Sequence, residues 1–133
     1  MGIPSYIVEP QTIFVDFLKD VLTDAGLDVL HIDAKIDPAH LLTVQPRMLF
    51  VDLDFVEDTD PLEAIRKSRS VLPDALICVY TNEQRPAWAD SCRSAGANGV
   101  LSKASASPEV AEGLRMMIIC GNYTDPRVNE VRV

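Results

Sequence analysis

The sequence predicts one α/β domain, built on a parallel sheet of five strands with helices on both faces. Short apolar runs such as Met48–Val51 are typical of strands buried on both faces. These runs alternate along the chain with segments whose apolar residues recur at helical spacing. Such alternation implies parallel pairing with right-handed crossovers, and a chain of 133 residues has the usual size of a single domain.

The predicted strands are short and are followed by polar residues. Their spans are Ser5–Val8, Leu27–Ile32, Met48–Val51, Ala75–Tyr80 and Gly99–Leu101. Glu9, Asp52 and Thr81 come directly after three of them, and Lys103 lies just past the last. Because parallel strands end at a common edge, where open α/β folds bind ligands, we expect these four side chains to lie close together.

The helices are predicted from apolar spacing and from residues that start or stop a helix. Asp60, Pro61 and Glu63 have the order of an N-cap, a first-turn proline and a capping-box acid, while Gly26 and Gly96 are stop signals. The predicted helices span residues 13–25, 38–42, 61–72, 86–95 and 107–118. Residues 121–133 show no pattern, and we treat them as a tail or linker after a domain of residues 1–120.

Composition excludes several functional classes. The formal charge of −8 speaks against nucleic acid as a direct partner, because phosphate binding needs clustered Lys and Arg. No apolar run reaches the ~18 residues of a membrane helix, and the start has no secretory signal. Cys78, Cys92 and Cys120 lack metal or redox spacing and suit a reducing cytoplasm. His31 and His40 share no predicted face with a cysteine or aspartate, so we expect structural or solvated roles for them.

The residues predicted at the sheet edge form a chemically coherent set. A carboxylate such as Asp52 can attack a phosphoryl group and carry it as an acyl phosphate. Carboxylates and a backbone carbonyl can together hold Mg²⁺. A lysine, here Lys103, pairs with one phosphate oxygen, and a hydroxyl, here that of Thr81, can bond another. The sequence therefore predicts phosphoryl chemistry centred on Asp52.

Over residues 5–119 the chain resembles the receiver domain of two-component response regulators. The matching pieces, in order, are Ile7–Glu9, Pro46–Asp52, Thr81 and Ala95–Lys103. The resemblance implies the flavodoxin-like (βα)5 fold with strand order 2-1-3-4-5, and a signalling protein rather than an enzyme. It implies that Asp52 accepts a phosphoryl group from a sensor histidine kinase or a phosphotransfer protein, and that Thr81 and Lys103 sense it.

The resemblance also implies a metal site and an output. Glu9, Asp52 and the backbone carbonyl of Asp54 would ligate Mg²⁺, and the face of the fourth helix, fifth strand and fifth helix would signal. Pro10 stands where the family usually has a second acidic ligand, so Mg²⁺ binding is expected to be weak. The stretch Gly121–Pro126 is similar to the linker of LuxR-type regulators. In those regulators a helix-turn-helix domain follows, and none follows here, so direct DNA binding by this chain is not expected. A homodimer is a further expected arrangement.

Three further departures leave a second interpretation open. Val100 stands where receivers have a switching aromatic residue, and Asn82 where they have a very small one. Ala104 replaces the usual proline after Lys103, so we predict a trans bond, because a cis bond without proline costs about 2.5–4 kcal/mol. The alternative is a degenerate receiver that keeps the fold and binds protein partners, or itself, without phosphorylation.

A remote alternative is a haloacid-dehalogenase-like phosphatase. The stretch Asp52–Val56 fits the Asp-x-Asp-x-Thr/Val motif of that family, in which Asp54 would be a general acid. That motif normally ends the first strand, whereas two strand–helix units precede Asp52. The acidic pair which that family needs on a strand beyond Lys103 has no counterpart in this sequence, so the receiver interpretation is preferred.

Overall fold

The computed structural model describes residues 2–54, 60–83 and 85–129. Within these ranges one sheet of six strands is formed, and every neighbouring pair is parallel. The strands are β1 (Ile3–Val8), β2 (Leu27–Asp33), β3 (Met48–Val51), β4 (Leu76–Thr81), β5 (Gly99–Ser102) and β6 (Tyr123–Thr124). Their order is β2-β1-β3-β4-β5-β6, which confirms the predicted order and extends it by β6.

Helices cover both faces of this sheet. They are α1 (Thr12–Asp24), α2 (Pro38–Val44), α3 (Pro61–Val71), α4 (Pro86–Ala95), α5 (Ser107–Cys120) and α6 (Pro126–Asn129). The cap predicted at Asp60 is present, since its Oδ1 accepts a hydrogen bond of 3.0 Å from the Leu62 N–H. Asp37 caps α2 in the same way, through the Ala39 N–H at 3.1 Å.

The central strand β3 has its side chains in two cores. Met48 and Phe50 pack with α1 and α5, whereas Leu49 and Val51 pack with residues of α2, α3 and α4. All four side chains are buried, and burial of each contributes about 1.5–3 kcal/mol. The end of β3, and with it Asp52, is therefore held by packing on both faces.

The beginning of the tail belongs to the folded structure. Strand β6 pairs with β5, and the Asp125 N–H donates to the Val100 carbonyl at 2.9 Å. Asp125 and Val128 are only 2% and 0% exposed. The sequence pattern did not predict β6 or α6, because a strand of two residues and a helix of four are too short to show periodicity.

Two other predictions concern the backbone and the membrane. The Lys103–Ala104 bond is trans, as predicted, and the described residues contain no cis peptide bond. None of the helices in the described part of the chain combines the length and the apolar character that a bilayer crossing requires.

Candidate functional site

The carboxyl edge of the sheet brings the predicted site residues together. Glu9, Asp52, Thr81 and Lys103 are 3%, 6%, 0% and 7% exposed. Sheet hydrogen bonds fix their positions: the Asp52 N–H donates to the Val8 carbonyl, and the Lys103 N–H to the Thr81 carbonyl, both at 2.9 Å. The rule that parallel strands end at one edge is sufficient to explain this convergence.

Lys103 lies at the centre of the cluster. Its Nζ is 2.9 Å from Asp52 Oδ2 and 3.0 Å from Glu9 Oε1, and all three side chains are fully buried. The ammonium also lies 4.6 Å from the centre of the Phe14 ring, a cation–π distance. One cation therefore compensates two buried carboxylates, each of which would be costly to bury without it.

The pKa values of Glu9 and Lys103 both depart from their usual ranges. Burial, followed by a hydrogen bond with Asp52, raises the pKa of Glu9 to about 7, although Lys103 opposes the change. Burial acts to lower the pKa of Lys103, but hydrogen bonds and charge interactions with Asp52 and Glu9 outweigh it and raise the pKa. Lys103 therefore stays charged at neutral pH, while Glu9 exchanges its proton in that range.

Asp54 has a role that the sequence did not predict. Its Oδ1 accepts a hydrogen bond of 2.7 Å from the Thr81 hydroxyl, and its Oδ2 accepts one of 2.9 Å from the Asn82 N–H. Lys103 Nζ is 4.0 Å from the same Oδ2. A hydroxyl and a backbone N–H thus donate hydrogen bonds to one carboxylate, and an ammonium adds a charge contact with it at 4.0 Å.

Both oxygens of Asp52 are engaged. Oδ2 accepts from Lys103, and Oδ1 accepts a hydrogen bond of 2.8 Å from the Asp54 N–H. The Asp52 side chain is 0% exposed. Each oxygen keeps a second lone pair, so the burial of the side chain, rather than these hydrogen bonds, limits an attack by Asp52 on an external phosphorus atom.

The predicted Mg²⁺ ligands can be tested against this geometry. Glu9 Oε1 is buried and has no well-aligned hydrogen-bond donor, which would suit a cation. However, the Lys103 ammonium lies between the Glu9 and Asp52 carboxylates. Across residues 2–54, 60–83 and 85–129, no three acidic, histidine or cysteine side chains are arranged to hold a metal ion. With Lys103 in this position, the Glu9 and Asp52 carboxylates do not fit Mg²⁺.

A buried carboxylate connects the tail to the loop that carries Lys103. Asp125 Oδ2 accepts hydrogen bonds from the Ser102 N–H and the Ser105 hydroxyl, and its Oδ1 accepts one from the Arg127 N–H. Ser102 and Ser105 flank Lys103 in the chain. The chain on both sides of Lys103 is therefore hydrogen-bonded to a residue of the tail.

A second polar cluster lies beside the end of β2. The Tyr6 hydroxyl donates to Asp33 and lies 2.7 Å from His40 Nδ1, which is 3.1 Å from Asp33 Oδ2. The His31 ring stacks on Tyr6 and meets the His40 ring edge-on at 4.8 Å. The expectation that the two histidines share no face with an aspartate is wrong, because residues from β1, β2 and α2 meet only in the folded chain.

Phe55 and Val56, which completed the phosphatase motif, lie outside the described residues. Of the Asp-x-Asp pair, Asp54 is bound to Thr81 and Asn82. The pair follows strand β3, and the two strand–helix units β1–α1 and β2–α2 precede it. The motif therefore does not end the first strand, as it normally does in that phosphatase family.

Comparison with known sequences gives one regulatory relative. No family model matches the chain. The methanol utilization control regulatory protein MoxX of Paracoccus denitrificans is 31% identical over 85 residues, which are 63% of this chain and 38% of that protein. The match therefore spans well under half of the relative's length.

Comparison with solved structures gives response regulators, among them an isolated receiver domain. The isolated receiver domain of RcsB from Salmonella enterica serovar Typhimurium, solved with the phosphomimetic BeF3⁻, matches with a TM-score of 0.82, 18% identity and 97% coverage of both chains. A LuxR-family regulator from Aurantimonas sp. SI85-9A1 matches with a TM-score of 0.79 and 21% identity, and the match covers 97% of this chain and 94% of that one. A response regulator from Thermotoga maritima matches with a TM-score of 0.76 and 20% identity, and the match covers 90% of this chain and 99% of that one. At these identities the likeness establishes the fold.

Proposed function

We propose that this chain, which has the fold of response regulator receiver domains, is an atypical receiver that accepts a phosphoryl group on Asp52. The donor would be a sensor histidine kinase or a phosphotransfer protein. The observation that carries the proposal is the 2.9 Å contact between Asp52 Oδ2 and Lys103 Nζ, beside the Thr81 hydroxyl at the strand ends. The regulatory relative supports a place in signalling.

The proposed chemistry is the transfer of a phosphoryl group from a nitrogen atom of the donor histidine to a carboxylate oxygen of Asp52. A carboxylate oxygen of Asp52 attacks phosphorus, the bond from phosphorus to the donor imidazole breaks, and the imidazole keeps the electron pair and takes up a proton. Lys103 stays positive throughout and compensates charge on the phosphoryl oxygens. No step is assigned to Mg²⁺, because Lys103 lies between the carboxylates that would bind it.

The proposed output runs through the face of α4, β5 and α5, and through the tail that lies on it. Strand β6 pairs with β5, and Val128 of α6 is part of the core that includes α4 residues. Val100 is buried and lacks a ring that could change position. We therefore assign the transmitting role to the loop of Lys103 and its bond to Asp125, in place of an aromatic switch.

A second candidate is a degenerate receiver that binds protein without phosphorylation. It is favoured by the complete burial of the Asp52 side chain and by the hydrogen bonds to both of its oxygens. In this case the same face, with β6 and α6, would bind a partner protein or a second copy of the chain. We propose no enzyme turnover, no direct nucleic-acid binding, and a cytoplasmic location in which the cysteines remain reduced.

The two candidates differ in their response to a small phosphodonor. The protein and its Asp52→Asn variant are incubated with acetyl phosphate, with and without Mg²⁺, and measured by intact-mass spectrometry. Phosphoryl transfer adds one phosphoryl mass to the native protein and none to Asp52→Asn. Absence of the adduct under all conditions would exclude the acceptor role for this donor and leave the binding module.

A further inference from the structure

Two hydrogen-bond donors, the Thr81 hydroxyl and the Asn82 N–H, and the Lys103 ammonium face one position, which the Asp54 carboxylate occupies. The Thr81 hydroxyl and the Asn82 N–H bind separate oxygens of the Asp54 carboxylate at 2.7 and 2.9 Å. Lys103 Nζ is 4.0 Å from the second oxygen. The Asp54 side chain is 18% exposed, although the residue as a whole and its bond to the Asn82 N–H lie at the surface.

This position adjoins the proposed phosphoryl acceptor. The Lys103 ammonium that approaches Asp54 also binds Asp52 Oδ2 at 2.9 Å, and the Asp54 N–H binds Asp52 Oδ1 at 2.8 Å. A phosphoryl group on either Asp52 oxygen would bring three negative oxygens within a few ångströms of Asp54. Like charges at such distances repel, and the single hydrogens of the Thr81 hydroxyl and the Asn82 N–H cannot serve both anions at once.

We propose that the Asp54 carboxylate is a built-in competitor for the phosphoryl group, which occupies the donors of Thr81 and Asn82 and must leave before an oxyanion can bind there. This inference rests on the proposed acceptor role of Asp52. It adds a residue that sets the threshold for phosphorylation. It also implies that Thr81 is held toward the site before any phosphate arrives.

The probe is beryllofluoride, which binds a carboxylate oxygen as a tetrahedral phosphoryl mimic. Its affinity is measured by NMR titration of the native protein, Asp54→Ala and Asp54→Asn, with and without Mg²⁺. Loss of two competing hydrogen bonds predicts about tenfold tighter binding for Asp54→Ala. The gain for Asp54→Asn is smaller, because its amide oxygen still accepts from one donor. All three proteins keep the Asp54 backbone carbonyl.

Two controls separate donor occupancy from a general charge effect. Asp16→Ala removes an exposed aspartate of α1 and leaves the affinity unchanged. Adding Thr81→Ala to Asp54→Ala removes most of the gain, because the freed hydroxyl is then absent. Each variant is first checked for native unfolding behaviour, and Asp54→Asn serves in place of Asp54→Ala if the latter does not fold.

The outcomes separate this inference from the proposed function. Tighter binding that depends on Thr81 supports the inference. Equal binding by the native protein and Asp54→Ala overturns it and leaves Asp52 as an acceptor. A gain that persists without the Thr81 hydroxyl also overturns it, because charge alone then explains the effect. If neither protein binds beryllofluoride, the inference and the acceptor role both fail.

Discussion

The Asp125 carboxylate accepts a hydrogen bond from the Ser105 hydroxyl, two residues beyond Lys103. The same Oδ2 accepts the Ser102 N–H at 3.1 Å, and the carboxylate is only 2% exposed. Asp125 belongs to the tail, whereas the two serines flank the proposed phosphate-sensing lysine. These hydrogen bonds connect the tail to both sides of Lys103, which is the connection that the proposed output uses.

Replacement of Asp125 by asparagine is expected to destabilise the fold. The buried Ser102 N–H and Ser105 hydroxyl then lose a charged acceptor, which costs about 1–3 kcal/mol. Urea unfolding measures the change, and hydrogen exchange at the Ser102 amide should become faster. Asp16→Asn, an exposed aspartate of α1, is the control. A free energy of unfolding equal to that of the control would show that the hydrogen bonds of Asp125 with Ser102 and Ser105 do not stabilise the fold.

Replacement of Lys103 by methionine is expected to be more severe. Glu9 and Asp52, both with fully buried side chains, are then left without their cation, and breaking such an ion pair costs about 3–5 kcal/mol. Adding Glu9→Gln should recover part of the loss. Urea unfolding of the single and double variants measures the coupling. Lys19→Met, at an exposed site of α1, is the control and should unfold with nearly the native free energy. If the losses in free energy from Lys103→Met and Glu9→Gln simply add in the double variant, the Glu9–Lys103 pair is not supported.

Stability is expected to depend on pH through Glu9. Burial and the neighbouring Asp52 raise its pKa from 4.5 to about 7, so the folded state binds a proton more tightly than the unfolded state. The contribution is complete below about pH 4.5 and is lost as the pH rises through about 7, with a size on the order of 1–3 kcal/mol. Unfolding free energies across this range should decrease in the native protein and change less in Glu9→Gln. If the free energy of unfolding varies with pH in the same way in the native protein and in Glu9→Gln, the pH dependence does not come from Glu9.

The cluster beside β2 gives a prediction of smaller size. Tyr6 is 0% exposed and its hydroxyl donates to Asp33, an interaction that lowers the pKa of Asp33. Tyr6→Phe should cost about 1–2 kcal/mol, and the pKa of Asp33, followed by NMR, should rise toward its usual value. Tyr123→Phe, on β6, is the matched control. An unchanged Asp33 pKa would show that Tyr6 contributes packing alone.

The parts of the fold predicted from sequence are those with a repeating pattern. The apolar run Met48–Val51 and the helical spacing after Thr12 correspond to β3 and α1. The rule that parallel strands end at a common edge predicts that Asp52 and Lys103 lie close together, and their 2.9 Å contact confirms it. These predictions need only periodicity and topology.

What the sequence did not predict depends on side-chain direction. The Asp54 carboxylate points at Thr81, and no spacing rule distinguishes that from a metal-facing orientation. The burial of Asp125 follows from β6, which is only two residues long. The position of Lys103 between Glu9 and Asp52, which does not fit a Mg²⁺ ion, is likewise set by packing.

The central claim is that Asp52 is the phosphoryl acceptor, and chemical mapping of the modified residue tests it most directly. After treatment with acetyl phosphate, borohydride reduction converts an aspartyl phosphate to homoserine, which peptide mass spectrometry can locate. We predict homoserine at position 52, in higher yield in Asp54→Ala and absent in Asp52→Asn. Homoserine at another aspartate, or at none in either protein, would contradict the assignment of Asp52.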